Sequence, residues 1–465
     1  FTPCTLTSAQ AAGNVEAQCA RLSVPENPAV PGERRIALKI AWLERSDAGS
    51  AAPDPVFFVA GGPGQSATEV ASLVAPRLAE VRKKRDLFFV DQRGTGGSHP
   101  LRCTGADGKE LEPDGGVAAT AQQYTDYARR CAASLRGYAD TRYYTTAEAI
   151  ADLDAVRAAL GAERINLIGG SYGTRVVQQY ARRYAAHTRT VTLDGVAPNA
   201  LVIGGEFATT FEDAIALQSA QCRRDPACAR RFPADTRQQL RTVTERLRAA
   251  PVEVDYRDPG TAQTRHDRAT ADTVVGLAFG FSYAPQTASL LPLILDEAAA
   301  GRYAPLMALA QMTTREMGGQ MNRAMQWSVI CAEDAGRYRA PPGVERTLLG
   351  AQVAQMFFAP CAVWASGTPA KDFTAPLRSD VPALLLSGEL DPVTPPRYAA
   401  QVLKGLPHGR HIVSPGQGHG TFGLGCMPKL LGQFIDTADA TRLDARCVQS
   451  MSSVPAFTSF NGWEP

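Results

Sequence analysis

"LIGGSYGT", residues 167–174, sets a serine among glycines at the end of a short apolar run, Ile165-Asn166-Leu167-Ile168. A run of this length stopped by glycines reads as a buried strand. Tyr172 to about Tyr184 reads as the helix that follows. Gly169-Gly170-Ser171-Tyr172-Gly173 fits G-x-S-x-G, a strand-to-helix turn that lifts a serine hydroxyl above the end of a sheet. Such a turn holds the serine near positive φ, and side chains two residues before and after it would collide. The helix start then lies beneath any negative charge that develops there. Alone, the stretch also fits a glycine-rich turn with an incidental serine, so the rest of the chain must decide.

Strand-like runs recur at 36–43, 56–59, 87–90, 190–193, 383–386 and 411–414. A helix-sized segment fills 68–85. Another helix is expected at 147–160, with Thr146 as N-cap and Ala149, Ile150, Leu153, Val156, Ala159 and Leu160 on one face. Strands alternating with helices, several uniformly apolar, indicate an α/β fold: a mostly parallel sheet covered by helices on both faces. From about Asn199 to Pro376 the character changes to helix-like segments rich in Ala, Arg, Gln and Leu. The expected organisation is a sheet domain in two parts, 1–198 and 377–465, interrupted by a helical insertion at 199–376. Insertions belong at loops on the functional face.

A serine hydroxyl is a weak nucleophile and needs a base and an orienting acid. On such a sheet they follow in the order Ser, acid, His. Of the six histidines, His419 lies in the Gly416-Gln417-Gly418-His419-Gly420 loop just after the last strand, where a base can reach back over the sheet. His408 and His411 precede or begin that strand, His187 follows the helix after Ser171, and His266 lies in the insertion. His99 is the second choice. The acid should follow strand 383–386, where Glu389 and Asp391 compete; Asp391, in a proline-bordered turn, is favoured. A turn-forming Asp is its plain alternative.

An oxyanion hole needs two backbone N–H donors. Tyr172, after the serine, is one, and the Ala60-Gly61-Gly62-Pro63-Gly64 loop offers Gly62 as the other. That loop has a rival reading as a dinucleotide fingerprint, Gly62-x-Gly64-x-x-Ala67 with Asp91 beyond. Pro63 has no N–H to offer phosphate, and Asp91 is farther on than the usual spacing. No phosphate-loop lysine follows.

Composition sets further bounds. The 465 residues are too many for one simple domain; typical domain size suggests about three units. There are 48 basic and 46 acidic side chains, net charge +2, so nucleic acid is not an implied partner. No run of 18 apolar residues predicts a membrane span. Ten cysteines fit five disulfides, and spacing suggests local pairs: Cys4 with Cys19, Cys103 with Cys131, Cys222 with Cys228, Cys331 with Cys361, Cys426 with Cys447. Disulfides imply an oxidising compartment, secreted or periplasmic. The start at Phe1 is compatible with a removed signal peptide. No Cys/His cluster has zinc-ligand spacing.

Together, "GGPGQS" (61–66), "DQRGTGGS" (91–98), "GGSYGT" (169–174), "SGELDPVTPP" (387–396) and "GHG" (418–420) resemble the α/β-hydrolase serine peptidases. The resemblance is to the prolyl aminopeptidase (proline iminopeptidase) and tripeptidyl aminopeptidase family, in its secreted branch with a TAP-like C-terminal part. It covers roughly 20–200 and 375–450. Ala60 departs from it, since many relatives carry His there. The resemblance implies Ser171 as nucleophile, Asp391 and His419 as its partners, Gly62 and Tyr172 as oxyanion donors, and 200–375 as a cap. It implies peptide substrates with a free N-terminus, and no metal or organic cofactor. An anion must then hold the substrate ammonium. Glu333 is the favoured candidate and Asp334 the second, beside a Cys331 disulfide; Glu206, Glu212 and Asp213 compete. Phe279, Phe281, Tyr283, Trp327 and Phe357 are candidate pocket aromatics, though most read as core. A carboxylesterase or lipase-like hydrolase with the same catalytic residues is the alternative.

Overall fold

The computed structural model describes the chain except residues 9–12, 48, 50, 113–119, 319–320 and 463–465, and the side chains of 314–318. Nine strands form one sheet in the order β1-β2-β3-β5-β4-β6-β7-β10-β11. These are β1 (Thr2–Leu6), β2 (Val15–Pro25), β3 (Arg35–Leu43), β4 (Val56–Val59), β5 (Leu87–Val90), β6 (Ile165–Gly170), β7 (Thr188–Asp194), β10 (Ala383–Gly388) and β11 (Gly409–Ser414). From β5 to β11 every neighbouring pair is parallel, whereas β1, β2 and β3 add an antiparallel edge. β4 and β5 are buried along their whole length. This explains their unbroken Val/Phe/Leu content: a strand covered on both faces has no solvent side to alternate with. Phe57, Phe88, Leu167, Leu193 and Leu385 pack on one face of the sheet, Phe58, Phe89, Ile168, Leu384 and Leu386 on the other.

The helices of the sheet domain are α1 (Ala71–Val74), α2 (Ala79–Arg82), α3 (Ala121–Ser134), α4 (Thr146–Ala159), α5 (Tyr172–Arg183), α15 (Pro396–Leu403) and α16 (Met427–Thr437). The insertion supplies α6 (Phe207–Arg224), α7 (Pro226–Arg231), α8 (Thr236–Ala249), α9 (Ala271–Phe281), α10 (Pro285–Ala288), α11 (Leu291–Ala299), α12 (Ala304–Gly318), α13 (Arg323–Glu333) and α14 (Gln352–Phe358).

Four features differ from expectation. The strand-like runs of the sequence begin at 36, yet Thr2–Leu6 pairs with Val15–Cys19 in β2, and the Cys4–Cys19 disulfide ties the two strands. The 68–85 segment is not one helix, because Pro76 lacks the N–H an α-helix interior needs; a 3-10 turn at Ala75–Leu78 separates α1 from α2. Thr145, not Thr146, caps α4, in a capping box with Glu148. The insertion is not purely helical, since β8 (Val252–Arg257) and β9 (Thr264–Ala269) form an antiparallel hairpin.

The insertion also divides between two cores. Residues from Ala208 to Met307, with Val344, Leu348 and Leu349, form a separate apolar core. Ala324, Met325, Trp327, Val329 and Ile330 of α13, with Phe357 and Trp364, join the core of the sheet domain. Cys4–Cys19, Cys103–Cys131, Cys222–Cys228, Cys331–Cys361 and Cys426–Cys447 are disulfides. Five disulfides place the chain in an extracytoplasmic, oxidising compartment. Among the described residues no helix is long and apolar enough to cross a membrane.

Candidate active site

The carboxyl ends of β6, β7 and β10 and the loop after β11 converge on Ser171. β6 stops at Gly170 and α5 starts at Tyr172, so Ser171 alone makes the turn, at φ 53° and ψ −123°. A side chain in that conformation is strained and must be held by its surroundings. The flanking glycines make room for it. A Cβ on Gly169 would lie 2.6 Å from Gly173 O, and one on Gly173 would lie 2.3 Å from Val59 O. Ser171 N–H donates to Asp194 O at 2.8 Å, which pins the turn to the end of β7. No hydrogen bond joins Ser171 Oγ to a described residue, so the hydroxyl is unspent.

The Gly61-Gly64 loop approaches from β4; a Cβ on Gly61 would lie 3.1 Å from Ser171 Cβ. Among the described residues the N–H groups of Gly62 and Tyr172 donate to no acceptor, which leaves two donors beside the hydroxyl. Asp91, at the end of β5, staples this loop. Its carboxylate accepts from Ser66 Oγ (2.7 Å), Thr68 N–H (2.8 Å), Thr68 Oγ1 (2.8 Å) and Gly97 N–H (2.9 Å). Its oxygens are thus committed inside the fold, where a ribose-binding acid would have to face a ligand.

β10 leads into Asp391. Asp391 is 2% exposed, and Oδ1 accepts the N–H groups of Val393 (2.9 Å) and Thr394 (2.8 Å). Oδ2 lies 2.7 Å from His419 Nδ1 and accepts from Thr394 Oγ1 at 2.8 Å. Burial pushes this carboxyl up, but the imidazole and the hydrogen bonds outweigh it and hold Asp391 below its ordinary value. Burial likewise opposes charging of His419, yet Asp391, with Asp194 behind it, raises His419 above the ordinary 6.5. Asp391 occupies Nδ1, so Nε2 is the free imidazole nitrogen. The ring stands over the end of β7: a Cβ on Gly195 would lie 2.8 Å from His419 Cε1. Asp194 is the β7 partner of Gly170, so the imidazole and Ser171 share one corner of the sheet. Glu389, the competing carboxylate, accepts Gly416 N–H at 2.8 Å and braces the loop before His419. His99 stacks on Tyr138 at 4.1 Å, outside this convergence.

One contributor was missed from sequence. Asp194 is 1% exposed, and its carboxylate accepts Thr421 N–H (2.7 Å), Phe422 N–H (2.9 Å) and Thr421 Oγ1 (3.1 Å). One residue therefore holds the serine turn with its carbonyl and the histidine loop with its side chain. Its position at the end of strand 190–193, a carboxylate beside the opening stretch, was the available signal. Tyr283, one of the candidate pocket aromatics, lies against the histidine itself. Its carbonyl accepts His419 N–H at 2.7 Å, and its ring meets the imidazole edge-on at 5.4 Å, so the insertion sits directly on this histidine.

Glu333 and Asp334 are corrected as amine-binding candidates. Glu333 Oε1 accepts Thr146 N–H (2.8 Å), Oε2 accepts Thr146 Oγ1 (3.0 Å), and Arg175 lies 3.5 Å away. Asp334 pairs with Arg175 at 3.0 Å and with Arg337 at 2.6 Å. Both side chains are shut from solvent because α13 packs into the sheet domain's core. Burial pushes Glu333 up to about 7 even beside Arg175. Thr146 Oγ1 also meets Tyr172 OH at 2.7 Å, so the cluster fixes the Tyr172 side chain. Phe281, Trp327 and Phe357 are core residues. Tyr283, Phe279, Phe207 and Phe357 form a chain of ring contacts leading away from His419.

Residues 54–425 match the alpha/beta hydrolase fold family. The chain belongs to that family. This hydrolase, a serine hydrolase, is distantly homologous to Serine protease Hip1 of Mycobacterium tuberculosis, 26% identical over 424 residues, covering 85% of this chain and 80% of that protein. It is 28% identical over 188 residues to Tripeptidyl aminopeptidase of Streptomyces coelicolor, covering 38% of this chain and 35% of that protein. It is also similar to Carboxylesterase B of Mycobacterium tuberculosis, 33% identical over 232 residues, covering 46% of this chain and 43% of that protein.

Proposed function

We propose that this hydrolase is a serine aminopeptidase that releases N-terminal residues or short units from peptides through an acyl-enzyme. The observation that carries the reading is the unspent Ser171 hydroxyl in its strained turn, beside the Asp391–His419 pair and two free N–H donors. His419 Nε2 takes the Ser171 proton as Oγ attacks the amide carbonyl. Asp391 fixes the tautomer and stabilises the imidazolium. The oxyanion rests on the Gly62 and Tyr172 N–H groups, with α5 behind them. His419 then protonates the leaving amine, and water, activated the same way, hydrolyses the ester. Similarity to a tripeptidyl aminopeptidase and to Hip1 supports peptide substrates; similarity to Carboxylesterase B supports the esterase alternative.

With Glu333 and Asp334 committed to the core, the amine-binding role passes to Glu206. It is exposed at the start of α6 and meets the Tyr398 hydroxyl; no cation pairs with it among the described residues. Thr210, one turn on, donates to Pro392 O at 2.6 Å, which sets this end of the insertion beside Asp391. Glu212 is tied to Arg237 and Arg241, and Asp213 to Arg397. The test is a chromogenic panel of Pro-, Ala-, Phe- and tripeptidyl amides with free and blocked amines, alongside simple esters. Glu206→Gln raises KM for free-amine amides about tenfold or more, through loss of a charge-assisted contact, and leaves esters unchanged. Turnover of the esters with none of the amides, free or blocked, would instead establish the esterase.

Asp194→Asn is expected to lower kcat/KM by about 10²-fold, the scale of misplacing one group by an ångström. The carboxamide oxygen can still accept the Thr421 and Phe422 N–H groups, but its NH2 must donate to Thr421 Oγ1 where the carboxylate accepted, and the charge facing His419 is gone. Because Asp194 helps to raise His419, its loss moves the acid limb of the kcat/KM profile to lower pH. A variant with reduced rate and an unmoved limb would restrict Asp194 to a packing role.

A further inference from the structure

β2 and β3 set Arg21 directly opposite Lys39. Like charges in register destabilise a strand pair, and the usual remedy, a carboxylate between them, is missing. Among the described residues no carboxylate comes within ion-pair distance of Arg21, Lys39 or Arg102. Arg21 Nη1 donates instead to Gly97 O at 3.0 Å. The stem of Lys39 passes directly beneath Gly97, where a Cβ would lie 2.4 Å from Lys39 Cδ. Beside Arg21 is an open groove of about 380 Å³ lined by Arg21, Gly97, His99, Arg102 and Tyr138, among others, with the Lys39 stem behind its Gly97 wall. His99 is held at φ 50°, a costly conformation for a residue with a side chain, and lies flat on Tyr138 with 10° between the rings. Tyr138 is 41% exposed. The carboxylates nearby are Asp91, spent on the oxyanion loop, and Glu69, which stands in electrostatic reach of Lys39 and Arg102 but pairs with neither.

We infer that this groove is a binding site for a small ligand with two or more acidic oxygens, as phosphate or clustered carboxylates, separate from Ser171. A concave surface lined with one sign of charge concentrates counter-ions. Guanidinium groups bind such oxygens in bidentate fashion, and the stacked His99 and Tyr138 rings give the ligand body a flat wall. The ligand supplies the negative charge that the fold leaves out between Arg21 and Arg102, with Lys39 behind them adding to the positive field. Neither Arg21 nor Arg102 touches the residues around Ser171, so occupancy is readable apart from turnover.

The test titrates the full chain calorimetrically with pyrophosphate and, separately, with tricarballylate. Arg102→Gln is the first variant, because the Arg102 side chain makes no hydrogen bond or ion pair to a described residue, so its removal breaks no such bond. Arg21→Gln/Arg102→Gln is the second. Binding of either probe is expected to weaken about tenfold in the single variant and about 100-fold in the double, with native turnover in both. Preference for pyrophosphate assigns the groove to phosphates, and preference for tricarballylate to carboxylates. No binding of either probe to the native chain, or equal binding to native chain and Arg102→Gln, overturns the inference.

Discussion

Ser171→Ala lowers kcat/KM by about 10⁶-fold, the scale at which loss of a triad nucleophile removes covalent catalysis and leaves only binding and oxyanion stabilisation. The fold remains. Ser171 is anchored through its N–H to Asp194 O, and its Oγ bonds to no described residue, so alanine forfeits no internal hydrogen bond. Alanine fits the same space between Gly169 and Gly173 and carries the same strained φ. Stability therefore stays within about 0.5 kcal/mol, checked by circular dichroism and Tm. Labelling by a fluorophosphonate probe disappears with activity. A variant that keeps turnover, or still takes the label, places the nucleophile elsewhere and removes the basis for the aminopeptidase reading.

What the sequence made legible follows from where the chemistry sits. Ser171, Asp391 and His419 each come directly after a short apolar strand, and a parallel sheet brings strand ends together at one edge. Order along the chain thus became proximity in space. The same logic offered Asp194, but with one serine and two later partners already filling the roles, a third strand-end carboxylate drew no attention. Glu333 failed for a different reason. Its helix is apolar nearly all round, and periodicity says that such a helix is buried without saying in which body. Only the packing of Trp327, Val329 and Ile330 against the sheet domain shows that α13 leaves the insertion's own core. The hairpin within the insertion did carry a signal. Val252, Val254 and Tyr256 alternate with Glu253, Asp255 and Arg257, a period of two set among helical segments. Strand β1 carried little, because an edge strand that is mostly exposed needs few apolar residues.

Asp391→Asn lowers kcat by about 10⁴-fold through the wrong imidazole tautomer. Oδ1 of the carboxamide can still accept from Val393 and Thr394, so the turn survives. The NH2 group then faces His419 Nδ1, where the native oxygen accepts a proton. The imidazole must present an acceptor at Nδ1 and carry its proton on Nε2, the nitrogen that has to receive the Ser171 proton. The pH profile changes in a defined direction. In the native enzyme His419 is raised above 6.5, chiefly by Asp391 overcoming burial, and the base works only when neutral, so activity falls as pH drops through that raised value. Without the carboxylate, burial dominates and His419 ionises at lower pH, which moves the acid limb of the residual activity downward. Asp194, Thr394 and Tyr283 still face the ring, and Asp194 limits the displacement. Glu389→Gln is the comparison that decides between the two carboxylates of this loop. Glu389 contacts Gly416 N–H and not the imidazole, so its variant keeps the native acid limb. A 10⁴-fold loss in Glu389→Gln with near-native Asp391→Asn would reverse the assignment.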